Sequence, residues 1–176
     1  MSLRLIQCST MKVLFIGRFQ PFHNGHLLVL QQISKQYEEV IIGIGSSQEK
    51  DTNDNPFSEE ERKLMITRSL DAVGIHNYQV AAIPDIHDPP RWVAHVCSIL
   101  SGFNVVITNN PLTRKLFSEK GYLVKGTSYF DREHYSGKEI RKRILQNKPW
   151  EEFVPASVAQ VMKEIQGVKQ IKNNTP

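Results

Sequence analysis

The residues best suited to phosphate chemistry lie together in residues 17–26, which read Gly-Arg-Phe-Gln-Pro-Phe-His-Asn-Gly-His. This stretch stands between an apolar run and a helical pattern, where a helix N-terminus offers unpaired N–H groups to an anion. Arg18 adds a fixed cation, and Gly25 lets the backbone come close to a ligand. His23 and His26, three apart in the first turn, project to the same side and can both donate to phosphoryl oxygens. A single histidine here would be interpreted as a packed core residue, whereas the pair indicates a phosphate site.

A second candidate anion site lies in residues 135–143, which read Tyr-Ser-Gly-Lys-Glu-Ile-Arg-Lys-Arg. Ser136, with Glu139 three residues later, gives the capping-box pattern that begins a helix and leaves other first-turn amides available to an anion. Lys138 near that turn and Arg141 one turn further supply positive charge. Taken alone, this pattern favours a well-capped basic surface helix. Beside the first loop it favours the second half of one phosphate site.

Composition places the chain among ordinary globular proteins. Its 176 residues are 40% hydrophobic and 23% charged, and no apolar run approaches the roughly 18 residues needed to span a bilayer. Residues 1–109 hold 9 Lys/Arg against 11 Asp/Glu, whereas residues 110–176 hold 13 against 7. The basic C-terminal part suits an anionic partner, either nucleic acid or the phosphates of a small molecule. Cys8 and Cys97 have neither disulfide-framework nor metal-ligand spacing, so we expect a cytoplasmic protein.

The elements that must position these motifs alternate along the chain. Continuous β-branched runs predict strands buried on both faces, and capping residues mark the ends of the helices. The predicted strands are residues 13–16, 40–44, 78–83, 105–107 and 122–124. The predicted helices are residues 27–37, 58–70, 91–100, 111–119 and 136–146, with a last helix from 150 or 155 to 165.

Strict alternation predicts an α/β fold: a Rossmann-like doubly wound parallel sheet of about five strands, with helices on both faces and C-terminal helices. Ligands of such sheets bind beyond the C-terminal ends of the strands, which is where the first motif lies. We expect one domain over residues 11–176. Residues 1–10 lack the pattern of a signal peptide, and Met11 precedes the first clear element, so they indicate an N-terminal extension or an alternative start.

The His-x-Gly-His pattern of residues 23–26, with Gly-Arg-Phe-Gln-Pro-Phe before it, resembles the adenylyltransferase and cytidylyltransferase superfamily. More narrowly, it resembles the archaeal type of nicotinamide mononucleotide (NMN) adenylyltransferase, in matching order over most of residues 11–171. The serine-led second motif is similar to the signature that holds the β- and γ-phosphates, with Lys138 where the archaeal type usually has threonine. The resemblance implies catalytic roles for His23, His26 and Arg141. It implies an ATP-binding set of Gly17, Arg18, Phe19, Gln20, His23, Gly25, His26, Asn110, Arg132, Tyr135, Ser136, Gly137, Lys138 and Arg141.

A third segment resembles the part of this family that receives the mononucleotide. Asp85, Ile86 and Trp92 match the family's pattern, in which an aspartate and a tryptophan contact the ribose and the nicotinamide. The family usually has an asparagine between those two residues, whereas residues 87–91 here read His-Asp-Pro-Pro-Arg. An amide both donates and accepts, as a carboxamide reader must, so this departure bears on the acceptor. Arg91 is a candidate for binding the acceptor's phosphate instead.

The activity that this resemblance implies is transfer of AMP from ATP to NMN, giving NAD and pyrophosphate. Such chemistry requires no protein nucleophile, because positioning and electrostatic stabilisation of the transferring group suffice. We expect Mg²⁺ to bridge phosphate oxygens while keeping several waters, so no metal site built of protein ligands is required. We also expect a homo-oligomer, since this family often forms hexamers, and neither nucleic acid nor a membrane as partner.

Two other interpretations stay open. In the first, the same fold and chemistry serve another phosphorylated acceptor, such as FMN or phosphopantetheine, and the departure at residues 87–91 supports it. In the second, the chain is a non-catalytic nucleotide sensor or an RNA-binding protein that uses its basic C-terminal part. The exposed aromatic series on which single-strand binders stack bases is not evident in the sequence, which disfavours the second interpretation.

Overall fold

The computed structural model describes residues 9–127 and 135–174 of the chain. In this part of the chain strands and helices alternate as far as the fifth strand, after which the remaining elements are helical. The strands are β1 (Ser9–Gly17), β2 (Tyr37–Gly45), β3 (Tyr78–Ile83), β4 (Phe103–Ile107) and β5 (Leu123–Lys125). The helices are α1 (Asn24–Ile33), α2 (Glu59–Asp71), α3 (Pro89–Ile99), α4 (Pro111–Glu119), α5 (Gly137–Leu145), α6 (Ala156–Glu164) and α7 (Gly167–Asn173).

The strands form one parallel sheet in the order β3-β2-β1-β4-β5. This confirms the predicted doubly wound α/β architecture. The order reverses between β1 and β4, because β2 and β3 extend the sheet to one side of β1 while β4 and β5 extend it to the other. Such a reversal opens a crevice at the C-terminal ends of the strands, where ligands of α/β sheets bind.

The central strands are buried on both faces, as their continuous apolar runs predict. Val13 and Phe15 belong to one hydrophobic cluster, which α1 and α2 cover, whereas Leu14 between them belongs to a second cluster beneath α3 and α4. Alternate residues of a strand point to opposite faces, so one run of β-branched and aliphatic residues supplies both cores. Each fully buried aliphatic side chain contributes about 1.5–3 kcal/mol of hydrophobic stabilisation.

The end of α1, the start of β2 and one additional helix differ from the sequence-based expectation. Helix α1 ends at Ile33 and is capped by Ser34, so Tyr37, predicted as helical, begins β2 instead. Helix α7 follows the predicted last helix, and its Ile171 is buried against the first core. Short polar helices such as α7 carry too few apolar residues for a periodicity to be visible. Over residues 9–127 and 135–174, no helix combines the length and the apolar character that crossing a membrane requires.

Candidate active site

An open cleft of about 590 Å³ lies at the C-terminal ends of β1, β2 and β4. It occupies the point where the strand order reverses, so the topological expectation is met. Residues of the first loop and of the acceptor segment meet there together with Asn110, whereas none of residues 135–143 belongs to the lining. Those of the predicted set that line the cleft are Gly17, Arg18, His26, Asp85, Trp92 and Asn110.

His23 and His26 form a reciprocal pair at the start of α1. His23 is the N-cap, and its Nδ1 accepts from the backbone N–H of His26 at 3.4 Å, while Nδ1 of His26 accepts from the backbone N–H of His23 at 3.3 Å. The two rings stack with their centroids 3.5 Å apart, so they do project to the same side. Because each Nδ1 accepts, each neutral ring carries its proton on Nε2. The backbone thus orients both imidazoles as Nε2–H donors.

Both imidazoles are neutral at physiological pH. Burial lowers the pKa of His23 to about 3. Burial, with a smaller contribution from His23, lowers the pKa of His26 well below its ordinary value. Three aromatic rings with centroids 4.8–6.2 Å away surround the His26 imidazole, namely Phe15, Phe19 and Phe22. A neutral imidazole in this setting can donate a hydrogen bond to a phosphate oxygen without giving up a proton. Of the two histidines, His26 lines the cleft and His23 lies beneath it.

Arg141 of α5 binds the backbone of the first loop. It is 7% exposed; its Nη1 donates to the carbonyl oxygen of Gln20 at 2.7 Å, and its Nη2 pairs with Oδ1 of Asp54 at 3.0 Å. Burial lowers the pKa of Arg141, and the Arg18 guanidinium acts in the same direction against the opposing effect of Asp54. Arginine stays protonated despite such a shift. Two guanidinium groups close enough to repel one another give this loop a positive potential, which favours an anionic ligand.

A glycine joins the second motif to the first. A Cβ on Gly137 would lie 2.5 Å from the carbonyl oxygen of Gln20, so only glycine lets α5 begin this close to the loop. Ser136 is the N-cap of α5, since its Oγ accepts from the backbone N–H of Glu139 at 3.1 Å. The Glu139 carboxylate instead accepts from Nε of Arg143 at 3.1 Å. The predicted cap is therefore confirmed in its serine half.

The other predicted ATP-site residues have varied surroundings. Tyr135 packs on Gly25, where an added Cβ would lie 2.9 Å from the tyrosine Cβ. Phe19 is buried in the core beside His26, and Lys138 is exposed on α5. Arg132 lies outside the described residues. These placements leave the ligand roles of the four residues as predictions.

On the acceptor side, Asp85 and Trp92 line the cleft, whereas Ile86 and Arg91 do not belong to its lining. Asp88 is the N-cap of α3, and its carboxylate also accepts from Nε of Arg91. The Arg91 side chain is 82% exposed in this pairing. Asp88 and Arg91, which lie in the segment that departs from the expected pattern, thus pair with each other at the start of α3, and Asp88 belongs to the cleft lining.

A model of the cytidylyltransferase-like family matches residues 14–143. The nicotinamide-nucleotide adenylyltransferase of Archaeoglobus fulgidus is 46% identical over 169 residues, which cover 93% of this chain and 97% of that protein. The chain belongs to this family. The nicotinamide-nucleotide adenylyltransferase of Thermococcus onnurineus is 47% identical over 160 residues, covering 90% of this chain and 86% of that protein. These relatives confirm the resemblance to the archaeal NMN adenylyltransferases.

Two solved structures share the fold of this nicotinamide-nucleotide adenylyltransferase family member. One is a bifunctional NMN adenylyltransferase/ADP ribose pyrophosphatase from Francisella tularensis, complexed with AMP and a manganese ion, with a TM-score of 0.74 and 22% identity. The match covers 93% of this chain and 52% of that one, so this chain spans about half its length. The other, a putative nicotinate-nucleotide adenylyltransferase from Vibrio parahaemolyticus, has a TM-score of 0.65 at 11% identity, with 94% and 97% covered.

Sequence reasoning missed several polar residues of the cleft. Thr108 and Asn109 follow β4 directly, and Thr127 follows β5. The Asn109 side chain joins the two loops, since its Nδ2 donates to Oγ1 of Thr127 at 2.7 Å and its Oδ1 accepts from the backbone N–H of Thr127 at 2.9 Å. The signal that could have found them is their place at the C-terminal ends of parallel strands.

The two histidines predict a loss of stability on acidification. In the unfolded chain a histidine titrates near 6.5, and both folded pKa values are lower. The unfolded state therefore binds protons first, and the free energy of unfolding falls as the pH drops below 6.5. Between about pH 6.5 and pH 5, His23, with its folded pKa of about 3, contributes a slope approaching 1.4 kcal/mol per pH unit, and His26 contributes in the same direction. Thermal unfolding measured at several pH values in this range gives the dependence of stability on pH. In His23→Asn, which keeps an N-cap residue, stability should fall less steeply with decreasing pH than in the unmutated protein. An equally steep fall contradicts the prediction.

Proposed function

We propose that this chain transfers AMP from ATP to NMN, giving NAD and pyrophosphate, as a cytoplasmic homo-oligomer. The observation that carries the proposal is the convergence, at the C-terminal end of β1, of a neutral histidine donor and two cations. His26 and Arg18 line the cleft, and Arg141 supports the same loop through the Gln20 carbonyl. Membership in the nicotinamide-nucleotide adenylyltransferase family supports NMN as the acceptor.

The reaction follows from these groups. An oxygen of the acceptor's phosphate attacks the α-phosphorus of ATP in line, and pyrophosphate leaves with the electron pair of the broken bond. His26 donates from Nε2 to the phosphate being transferred, while Arg18 and Arg141 hold the triphosphate with support from Lys138. Donors fixed in place before the reaction stabilise the charge that develops, at no cost of reorganisation. The stacked His23 ring keeps the His26 ring in position.

A divalent ion enters this site with the nucleotide. Within the part of the chain that the structure describes, no group of three or more His, Cys, Asp or Glu side chains is placed to hold a metal. Magnesium retains several waters and is commonly bound through substrate phosphates. We propose that Mg²⁺ binds the ATP phosphate oxygens and arrives as part of that substrate.

Pyrophosphate release from ATP, measured against a panel of acceptors, tests the proposal. The panel contains NMN, nicotinic acid mononucleotide, FMN, phosphopantetheine and no acceptor, with Mg²⁺ present throughout. Release with NMN, together with NAD formation, supports the proposal. Release only with FMN or phosphopantetheine keeps the chemistry and replaces the acceptor. No release with any acceptor contradicts enzymatic function and favours a nucleotide-binding or RNA-binding role.

Asp54 occupies a place on Arg141 that a phosphate would take. Its side chain is 73% exposed, so the pair is worth only about 0.2–1 kcal/mol. We expect Asp54→Asn to lower the Kd for ATP by about two- to fivefold, because the carboxylate no longer competes with the triphosphate. Titration calorimetry at constant ionic strength measures this, with Asp51→Asn, an exposed acid of the same loop, as the matched control. Weaker ATP binding by Asp54→Asn would mean that Asp54 supports the site instead.

A further inference from the structure

Arg62 is a buried arginine on α2, next to the proposed site. Its side chain is 0% exposed, and burial lowers its pKa. Among residues 9–127 and 135–174, no carboxylate lies within 4.0 Å of its guanidinium. A buried charge without such a partner must satisfy its N–H groups with other acceptors.

The acceptors of Arg62 are all backbone carbonyl oxygens. They belong to three segments: the loop after β1, the loop after β2, and the N-cap of α2 itself. Five N–H donors in a fixed fork can reach several segments at once. The carbonyls, with donor–acceptor distances of 3.0–3.4 Å, are those of Arg18, Gly45, Ser46, Ser47, Glu49 and Ser58.

The backbone that Arg62 holds includes two strained positions. Phe19, which follows the bound carbonyl of Arg18, has φ of 52°, and Ser46, whose own carbonyl is bound, has φ of 47°. Residues other than glycine rarely adopt this left-handed backbone conformation. Such conformations persist only where the surroundings over-determine them, and they cluster at functional sites. The guanidinium provides that restraint on both loops.

These two loops form one wall of the cleft. Arg18, Gly45 and Ser46 line it, and their strands are paired neighbours with Gly17 opposite Ile44. The carbonyl and N–H of a trans peptide point in opposite directions. The amides of Phe19 and Ser46 therefore face away from Arg62, and the Arg18 side chain departs from a backbone whose peptide plane is fixed.

We propose that Arg62 is a positioning residue for adenylyl transfer. It holds the ends of β1 and β2 at the spacing in which Arg18 meets the triphosphate. The inference rests on the function proposed above. A lysine at this position keeps the charge, but its single ammonium cannot bridge three segments, so charge and positioning are separable.

The test compares Arg62→Lys with two variants of the same helix. Arg68→Lys changes an exposed arginine paired with Glu164, and Ser69→Ala removes a buried hydroxyl that faces Ser157, 2.9 Å away, so it perturbs packing without touching either loop. We expect Arg62→Lys to lower kcat on the order of 10- to 100-fold, because small misplacements of binding groups have effects of this size. The KM for NMN should stay within about threefold.

A second readout does not depend on activity. Amide hydrogen exchange should accelerate in residues 17–20 and 45–49 of Arg62→Lys, and the Kd for ATP should rise, while both stay unchanged in Ser69→Ala. If the unmutated protein forms no NAD, the proposed function fails, and exchange and ATP affinity still decide the role of Arg62. A folded Arg62→Lys with the kcat, ATP affinity and loop exchange of Ser69→Ala overturns the inference.

If Arg62→Lys does not fold, native-state amide hydrogen exchange of the unmutated protein tests the role of Arg62 instead. The inference requires both loops to open in one cooperative step with the first turns of α2, at the same free energy. Loops that open independently of α2, at far lower free energy, overturn it.

Discussion

Replacement of His26 by alanine should reduce kcat by on the order of 100-fold or more while the protein stays folded. The reason is that the variant loses one preorganised hydrogen-bond donor to the charge that develops in the transition state. The imidazole lines the cleft and is neutral, and its Nε2–H is oriented by the backbone bond to Nδ1. Alanine leaves the aromatic floor of Phe15, Phe19 and Phe22 in place. Steady-state NAD formation and a thermal unfolding curve measure the two halves of this expectation.

The matched control for His26→Ala is His95→Ala. The His95 ring contacts the carbonyl oxygen of Pro84 at 2.9 Å and is not part of the cleft lining, so its loss should leave kcat nearly unchanged. Near-normal turnover by His26→Ala would contradict the role assigned to this imidazole. A large drop in the unfolding temperature of His26→Ala alone would show that the ring is structural instead.

Arg141→Ala should lower kcat/KM for ATP by on the order of 100-fold, because it removes one of the two cations that we propose to hold the triphosphate. It should also lower the free energy of unfolding by about 1–3 kcal/mol, since the buried Gln20 carbonyl loses the donor at 2.7 Å. Both expected effects arise from one guanidinium, which donates to the Gln20 carbonyl and is proposed to bind ATP. Chemical denaturation and ATP-dependent kinetics measure them separately.

Lys142→Ala is the matched control for Arg141→Ala. It removes an exposed cation from the next position of α5, paired with Glu139 at 3.9 Å, so both effects should be small. Arg141→Lys completes the set, because lysine keeps the charge but cannot reach Gln20 and Asp54 with one fork. An Arg141→Ala variant that is destabilised but binds ATP normally would contradict the clamp and leave only the structural role.

The architecture could be predicted from the sequence because a strand that is buried on both faces requires a continuous apolar run. Continuous runs such as residues 40–44 are apolar on both faces, and they lie within the central strands of the sheet. Local capping chemistry was equally readable: Ser58 and Glu61 do form the reciprocal pair that begins α2. The cleft lies where the strand alternation placed it, since the topology of a parallel sheet fixes which loops meet.

The parts that were not predicted depend on contacts between residues distant in sequence. Arg62 reads locally as a charged residue in a helix, and nothing in its neighbours shows that it bonds to Arg18, 44 positions earlier. Arg141 likewise binds the backbone carbonyl of Gln20 and the side chain of Asp54, and both partners are distant in sequence. Whether His23 faces ligand or core is decided by stacking on His26 and by burial, and both belong to the assembled structure.

The contact between Gly137 and the Gln20 carbonyl has a consequence for how the protein folds during synthesis. Residues 20 and 141 are 121 positions apart, and α5 closes on the first loop through both Gly137 and Arg141. Chains emerge from the ribosome N-terminus first, and domains fold as units during synthesis. Because this domain folds as a unit, the first loop reaches its final packing only after α5 has emerged, and the proposed contacts to the triphosphate form last. A nascent chain that ends after β4 lacks Gly137 and Arg141, so its first loop has neither of these two contacts to the Gln20 carbonyl.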